Sequence, residues 1–303
     1  MSNLSDYYLG RLGSLGQLLK AVSPSPDRPL RSGLVVFAAD HGISLEGYSA
    51  YAPLRTDKLV DWHLQGKSPV SRIVNHINRP EIIVDVGLYH PVQHQAVLSH
   101  PVRRGSRSFL EQDALWSGEV DQAVQRGFSL WDNISGWQFD IIGVGELGVG
   151  NTLAAEAITC AMLQLEPEQV VGSGSSADKV SRQKIDIIKR ALQHRHPQPD
   201  NYIDLLMRFG GLEIAALTGF IMRMFTLNKK VILDGLVTAV AAALASLVVR
   251  GKTDLLIAPS LAAERGHQYV LEELGLTAIW NVELNYGEGL AAAFSMFLLE
   301  VLS

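Results

Sequence analysis

The chain has 303 residues, 47% of them hydrophobic and 19% charged, with a formal net charge of −5 and no basic block, which argues against nucleic acid as a partner. Cys160 is the only cysteine, so neither an intrachain disulfide nor a cysteine metal cluster can form. No uncharged apolar run reaches the about 20 residues that span a bilayer, and Met1 to Tyr8 lacks the basic-then-apolar order of a secretion signal, so a cytoplasmic protein without a membrane partner is expected.

Residues 1–30 open with possible helix and the turn-rich Gly10 to Gly16, and Ser23 to Arg31 carries three prolines and reads as a connector. Gly33-Leu-Val-Val-Phe-Ala-Ala-Asp40-His41-Gly42 is then an unbroken apolar run ending on a polar pair and a glycine. That is the signature of a parallel-sheet strand buried on both faces. It recurs at Ile82 to Gly87, Ile141 to Gly145, Val231 to Gly235 and Leu255 to Ser260, and helical patterns separate the runs at about 54–77, 152–164, 176–194, 211–226, 236–250 and 264–274. The alternation predicts an α/β fold, a parallel Rossmann-like sheet covered by helices. Ligands bind beyond the carboxyl ends of such strands, where Asp40, Asp85, Glu146, Asp234 and Ser260 are expected along one rim. The large α/β domain is placed at 31–280, and 1–30 with 281–303 form a smaller helical lobe.

The centre of interest is Asp140-Ile-Ile-Gly-Val-Gly-Glu-Leu-Gly-Val-Gly-Asn-Thr152, a β-branched run entering a glycine loop ahead of a helix. Such glycines allow positive φ and close approach to a ligand, and the following helix amides suit an anion. Glu146 disfavours a plain phosphate cradle there but suits a neutral or protonated group. Gly143-x-Gly145-x-x-Gly148 has the letters of the dinucleotide fingerprint, but the helix begins late and the spacing to the next acid leads into the turn Glu166-Pro-Glu168. Gly172-Ser-Gly-Ser-Ser176, followed by Lys179, Arg182 and Lys184, reads equally well as a phosphate loop or a plain flexible one. Glu288 between Gly287 and Gly289 reads locally as a cap on the last helix, with a general base as the alternative. Asp40-His41 offers adjacent side chains pointing opposite ways, better suited to structural hydrogen bonds than to a metal.

Taken together these segments resemble the nicotinate-nucleotide–dimethylbenzimidazole phosphoribosyltransferase family over nearly the whole chain. The resemblance rests on Gly13-Ser-Leu-Gly16, Ala39-Asp-His-Gly42, Glu46 to Tyr51, Val84-Asp-Val-Gly87, Gly145 to Thr152, Arg208 to Ala216, Leu233-Asp-Gly235, Glu264-Arg-Gly-His267 and Gly287-Glu-Gly289. It implies transfer of phosphoribose from nicotinate mononucleotide to an aromatic acceptor, with nicotinate released and C1′ inverted. Glu288 becomes the base that takes the acceptor's proton, which reverses the local preference for a cap. Glu146, Leu147, Gly148, Tyr286, Ser49 and Lys58 would line the acceptor, and Asn151, Thr152, Gly172, Gly174, Lys184 and Asp234 would hold the nucleotide. The resemblance implies no cofactor, no metal, and a dimer of like chains or of unlike, paralogous ones.

The chain also departs from the family pattern. Lys58 stands where the family has a glutamine facing the benzimidazole, Asn285-Tyr286 replaces Arg-Leu before Gly-Glu, and Ala262 replaces a serine. Leu9 to Leu12 replaces a Lys-Pro-Pro segment, and Gly172 to Ser176 replaces Gly-Arg-Gly-Thr-Gly. A tyrosine at 286 narrows the acceptor pocket and adds a hydroxyl, which points to dimethylbenzimidazole or a smaller phenolic acceptor. The alternative is a non-catalytic partner subunit of a heterodimeric phenol-activating enzyme.

Overall fold

The computed structural model describes residues 13, 30–46, 55–172, 178–284 and 286–302. Its main sheet has six parallel strands: β1 Ser32–Ala39, β2 Glu81–Gly87, β3 Val97–Ser99, β4 Ile141–Leu147, β5 Lys230–Ile232 and β6 Leu256–Ile257. Their order is β3-β2-β1-β4-β5-β6. β1 is buried along its whole length because the sheet is covered on both sides, which is why its sequence is a continuous apolar run rather than an alternating one. A second, two-stranded parallel sheet pairs β7 Ser260–Ala262 with β8 Trp280–Leu284.

The helices are α1 Thr56–Leu64, α2 Pro69–His76, α3 Ser117–Ile134, α4 Asn151–Leu163, α5 Pro167–Val170, α6 Asp178–Arg195, α7 Tyr202–Phe209, α8 Leu212–Thr226, α9 Leu236–Val248, α10 Arg265–Glu273 and α11 Leu290–Leu302. Val35, Phe37, Ile142 and Val144 turn to one face of the sheet and pack with α3, α4, α8 and α9. Leu34, Val36, Ile141 and Leu147 turn to the other and pack with Val60 of α1, Val70 and Val74 of α2, and Ala292 and Met296 of α11. The C-terminal helix therefore lies directly on the main sheet. Apart from Gly13 and Leu30, the N-terminal part of the expected small lobe falls outside the described residues.

Three sequence expectations are corrected. The single helix expected over 54–77 is two, because the chain turns at Gly66 with φ +66 and restarts where Ser68 Oγ accepts the Ser71 amide at 3.0 Å ahead of Pro69. Helix α3 was not anticipated. Its buried stripe of Val120, Ala123, Gly127, Leu130, Trp131 and Ile134 includes an alanine and a glycine, which weakens the apolar signal while allowing tight packing. A Cβ on Gly127 would lie 1.7 Å from the Ala216 carbonyl oxygen, and one on Gly219 would lie 1.9 Å from that of Val124, so α3 and α8 cross almost backbone to backbone. Finally, the strand expected over 255–260 stops at Ile257, and Ser260 begins β7 instead of standing on the rim of the main sheet. Among the described residues no helix is long and apolar enough to cross a membrane.

Candidate active site

The carboxyl ends of β1, β2, β4 and β5 bring Asp40, Asp85, Glu146 and Asp234 to one rim. In register, Phe37 stands beside Glu146 and Ala38 beside Asp85. Two of the four carboxylates, Asp85 and Asp40, are structural. Asp85 Oδ1 accepts the Gly87 and Leu88 amides, both at 2.9 Å, and closes the turn leaving β2. Asp40 accepts the Tyr89 amide at 2.7 Å and the Thr56 hydroxyl at 2.5 Å. Thr56 in turn accepts the Val149 amide at 3.2 Å, which ties the start of α1 to the glycine loop after β4. His41 points the other way, its Nε2 2.5 Å from Glu213 Oε1 in a pair that is essentially buried. Asp40 and His41 thus serve separate hydrogen-bonded partners, as expected for neighbours at a strand end.

The other two carboxylates build the seat for Glu288. Asp234 accepts the Gly289 amide at 3.0 Å and the Ala291 amide at 2.7 Å, so it caps α11 from another element. This is the N-terminal satisfaction that a helix needs, supplied by β5 instead of by Glu288 itself. Burial pushes Asp234 up to about 7, opposed by these backbone hydrogen bonds and reinforced by the charge of Glu288. Glu288 has φ +64 between Gly287 and Gly289, the left-handed backbone that a glutamate adopts only when its surroundings impose it. The loop fits because β4 offers glycine beneath it: a Cβ on Gly145 would lie 2.7 Å from Gly289 Cα. The glycine that sequence reading associates with close approach to a ligand therefore admits another stretch of the same chain.

Glu288 Oε2 takes two partners. The Tyr286 hydroxyl donates to it at 2.5 Å, and His63 Nε2 lies 2.9 Å away. His63 is fully buried, and its Nδ1 is hydrogen-bonded to Glu81 Oε1 at the start of β2. Burial pulls the His63 imidazole down, but the hydrogen bonds and charges of Glu288 and Glu81 outweigh it and push it up to about 9. Neither His63 nor Glu81 was singled out from sequence. The available signal was a histidine on the buried stripe of α1, where Thr56, Val60 and His63 follow at helical spacing.

Glu146 sits deeper. Its Oε2 accepts the Asn151 amide nitrogen, and a Cβ on Gly287 would lie 2.9 Å from its Oε1. Burial raises its pKa well above the usual carboxylate range, helped by the charges of Asp234, Glu213 and Glu288 and opposed by Asn151. A carboxyl group in that setting holds its proton more tightly than an exposed one. Leu147 is buried in the core on the α11 side, and Gly148 backs onto Ala39, where a Cβ would meet the carbonyl oxygen at 2.9 Å. Asn151 and Thr152 open α4, with Gly150 at φ +100 before them. The structure therefore gathers Glu146, Gly148, Asn151, Thr152, Asp234, Tyr286 and Glu288 around the rim.

Three other expected residues stand apart from that cluster. Lys58 is exposed and pairs with Asp61 at 3.0 Å and with Asp57 at 3.9 Å. Lys184 on α6 lies 3.3 Å from Oε2 of Glu156, a fully buried carboxyl on α4. Burial pushes Glu156 up to about 7, against the lowering effect of Lys184 and with a raising effect from Glu264. Gly172 lies against residues 263–265, where a Cβ would meet the Ala263 carbonyl oxygen at 2.6 Å. Ser49 and Gly174 fall outside the described residues.

The rim presents a carboxylate, Glu288, with one oxygen held by the Tyr286 hydroxyl and the His63 ring. Comparison with known proteins supplies the family. A phosphoribosyltransferase family model matches residues 6–301. The nicotinate-nucleotide–dimethylbenzimidazole phosphoribosyltransferase of Prosthecochloris aestuarii is 32% identical over 295 residues, 96% of this chain and 84% of that protein. The enzyme of the same name from Syntrophotalea carbinolica is 31% identical over 303 residues, 98% of this chain and 86% of that protein. The crystal structure of CobT from Thermus thermophilus superposes with a TM-score of 0.88 at 31% identity, covering 97% of this chain and 89% of that one.

Proposed function

Since the chain belongs to the nicotinate-nucleotide–dimethylbenzimidazole phosphoribosyltransferase family, we propose that it moves phosphoribose from nicotinate mononucleotide to an aromatic lower-ligand base, with Glu288 as general base. The acceptor is dimethylbenzimidazole or a smaller phenol, and the product is an alpha-riboside phosphate for cobamide assembly. Glu288 removes the N–H or O–H proton of the acceptor. The acceptor's lone pair attacks C1′ on the face opposite nicotinate, and nicotinate departs with the electrons of the C1′–N bond. General-base assistance of this kind contributes about 10²–10⁴ in rate.

The observation that carries the reading is the setting of Glu288. Its backbone is held at φ +64, its loop is anchored by Asp234, and two donors converge on Oε2. A helix cap needs none of this, and the capping is performed by Asp234. The burial of Glu146 supports the same reading, since a carboxyl whose ionisation is disfavoured repels an anionic nucleotide less. Asn151, Thr152, Gly172, Gly174 and Lys184 are proposed to hold the nucleotide, and Tyr286 with the Glu146 loop to face the acceptor.

The test is nicotinate release from nicotinate mononucleotide by wild type and by Glu288→Gln, with dimethylbenzimidazole, phenol and p-cresol offered separately and the products identified by mass. Wild type is expected to form a riboside phosphate with at least one acceptor and Glu288→Gln with none, while both bind the nucleotide. Transfer by Glu288→Gln overturns the base assignment. Nucleotide binding without transfer by wild type, restored on adding a paralogous chain, establishes the unlike dimer and the supporting role of this subunit.

A further inference from the structure

We propose that His63 is a positioning residue for Glu288, and that Glu81, His63 and Glu288 form a carboxylate–imidazole–carboxylate chain that fixes which oxygen of the base faces the acceptor. The inference rests on the reading of Glu288 as the base.

The geometry is specific. His63 is fully buried and spends both ring nitrogens on carboxylates, Nε2 on Glu288 and Nδ1 on Glu81. Two ionised carboxylates can be served at once only if both nitrogens carry hydrogens, which makes the ring an imidazolium. Its elevation to about 9 means that this form persists through neutral pH. The three groups come from separate elements: His63 from the last turn of α1, Glu81 from the start of β2, and Glu288 from the loop before α11. Nothing in local secondary structure requires the contact.

The consequence lies in the asymmetry at Glu288. His63 and Tyr286 both address Oε2, while Oε1 has no hydrogen-bond partner among the described residues. Charge-assisted hydrogen bonds are the strong ones, so the carboxylate is oriented with Oε1 as the oxygen that receives the acceptor's proton. Holding a base in register is worth much of its effect, since misplacement by about 1 Å costs about 10²-fold. The imidazolium also sits between the charges of Glu81 and Glu288 and offsets both. Glu81 and Glu288 are the titratable groups that face the ring, and Tyr286, Glu146 and Asp234 are those around Glu288.

The test compares kcat and KM against pH for wild type, His63→Gln and Glu81→Gln, with nucleotide affinity and thermal midpoint measured on each. His63→Gln is expected to lower kcat about ten- to hundredfold while leaving nucleotide affinity within about twofold. The wild-type profile should fall near pH 9 as His63 loses its proton, and the variant should lack that limb. Glu81→Gln should bring the alkaline limb to lower pH, because the imidazolium loses one of its two carboxylate partners, and it carries the test if His63→Gln does not fold. Unmoved limbs in the folded variants, with Glu288→Gln inactive, overturn the role of His63 and leave the base assignment standing. A Glu288→Gln enzyme that still transfers phosphoribose removes the base itself, whatever the His63 variants do.

Discussion

The Tyr286 hydroxyl donates to Glu288 Oε2 at 2.5 Å, so the ring expected to shape the acceptor pocket also holds the proposed base. The two contributions separate by substitution. Tyr286→Phe removes the hydrogen bond and keeps the ring, so kcat should fall several-fold with the same relative rates for dimethylbenzimidazole and phenol. Tyr286→Leu removes the bulk as well and should shift the ratio of kcat/KM values towards dimethylbenzimidazole by about tenfold or more, the scale of small shape changes in a pocket. A ratio that stays constant in Tyr286→Leu means that this ring does not set acceptor size.

Asp234 joins β5 to the last helix through the Gly289 and Ala291 amides. Asp234→Ala leaves both amides buried without an acceptor, at about 1–3 kcal/mol each. Chemical denaturation should therefore find the variant less stable by several kcal/mol, with kcat reduced because the Glu288 loop loses its anchor. Asp234→Asn keeps one carbonyl oxygen and should lie between the two. Equal stability for Ala and wild type would show that the hydrogen bonds do not hold the loop.

Glu156 makes a prediction about pH. Its carboxyl is raised from 4.5 to about 7 in the folded chain. A carboxyl that binds its proton more tightly when folded contributes stability below pH 4.5, and that contribution is lost as pH rises towards 7. Glu156→Gln has no such loss, so its stability relative to wild type should climb between pH 4.5 and about 7 and then level off. The comparison is a pair of denaturation series across that range. A flat difference would mean that Glu156 is ionised throughout. The same variant frees Lys184 from its carboxylate neighbour at 3.3 Å, and tighter nicotinate mononucleotide binding at pH 8 is the expected accompaniment.

The crossing of α3 and α8 has no part in the chemistry and should show it. Gly219→Ala places a methyl 1.9 Å from the Val124 carbonyl oxygen, which the helices relieve only by moving apart. Overpacking of this sort costs about 1–3 kcal/mol. Thermal denaturation should register that loss while the folded fraction keeps its kcat. A large fall in kcat at unchanged stability would instead tie this crossing to the site.

Much of the architecture was legible in the residues alone. Runs such as Leu34 to Ala39 and Ile141 to Val144 lack alternation because both faces of a parallel sheet are covered, and their short length and β-branched residues separate them from buried helix. The rim followed from where those runs end, and Asp40, Asp85, Glu146 and Asp234 stand there. Helix α3 was invisible because its buried stripe carries Ala123 and Gly127, small residues chosen by a neighbouring helix and not by periodicity.

The sequence by itself determined the parallel sheet, most of its strands' polar ends and the glycine-flanked carboxylate at 288, because each is written in contiguous residues with a local period or a local turn. Only the tertiary structure decided what surrounds that carboxylate. His63 is separated from Glu288 by 225 positions and Asp234 is separated from Gly289 by 55, and each is a single residue on its own element. A single polar side chain on a buried face has no periodicity to announce it. Its partner is set by how the helices and strands pack, and at Glu288 that packing supplied the cap, the imidazole partner and an oxygen with no hydrogen-bond partner among the described residues, where sequence reading had left open a helix end or a base.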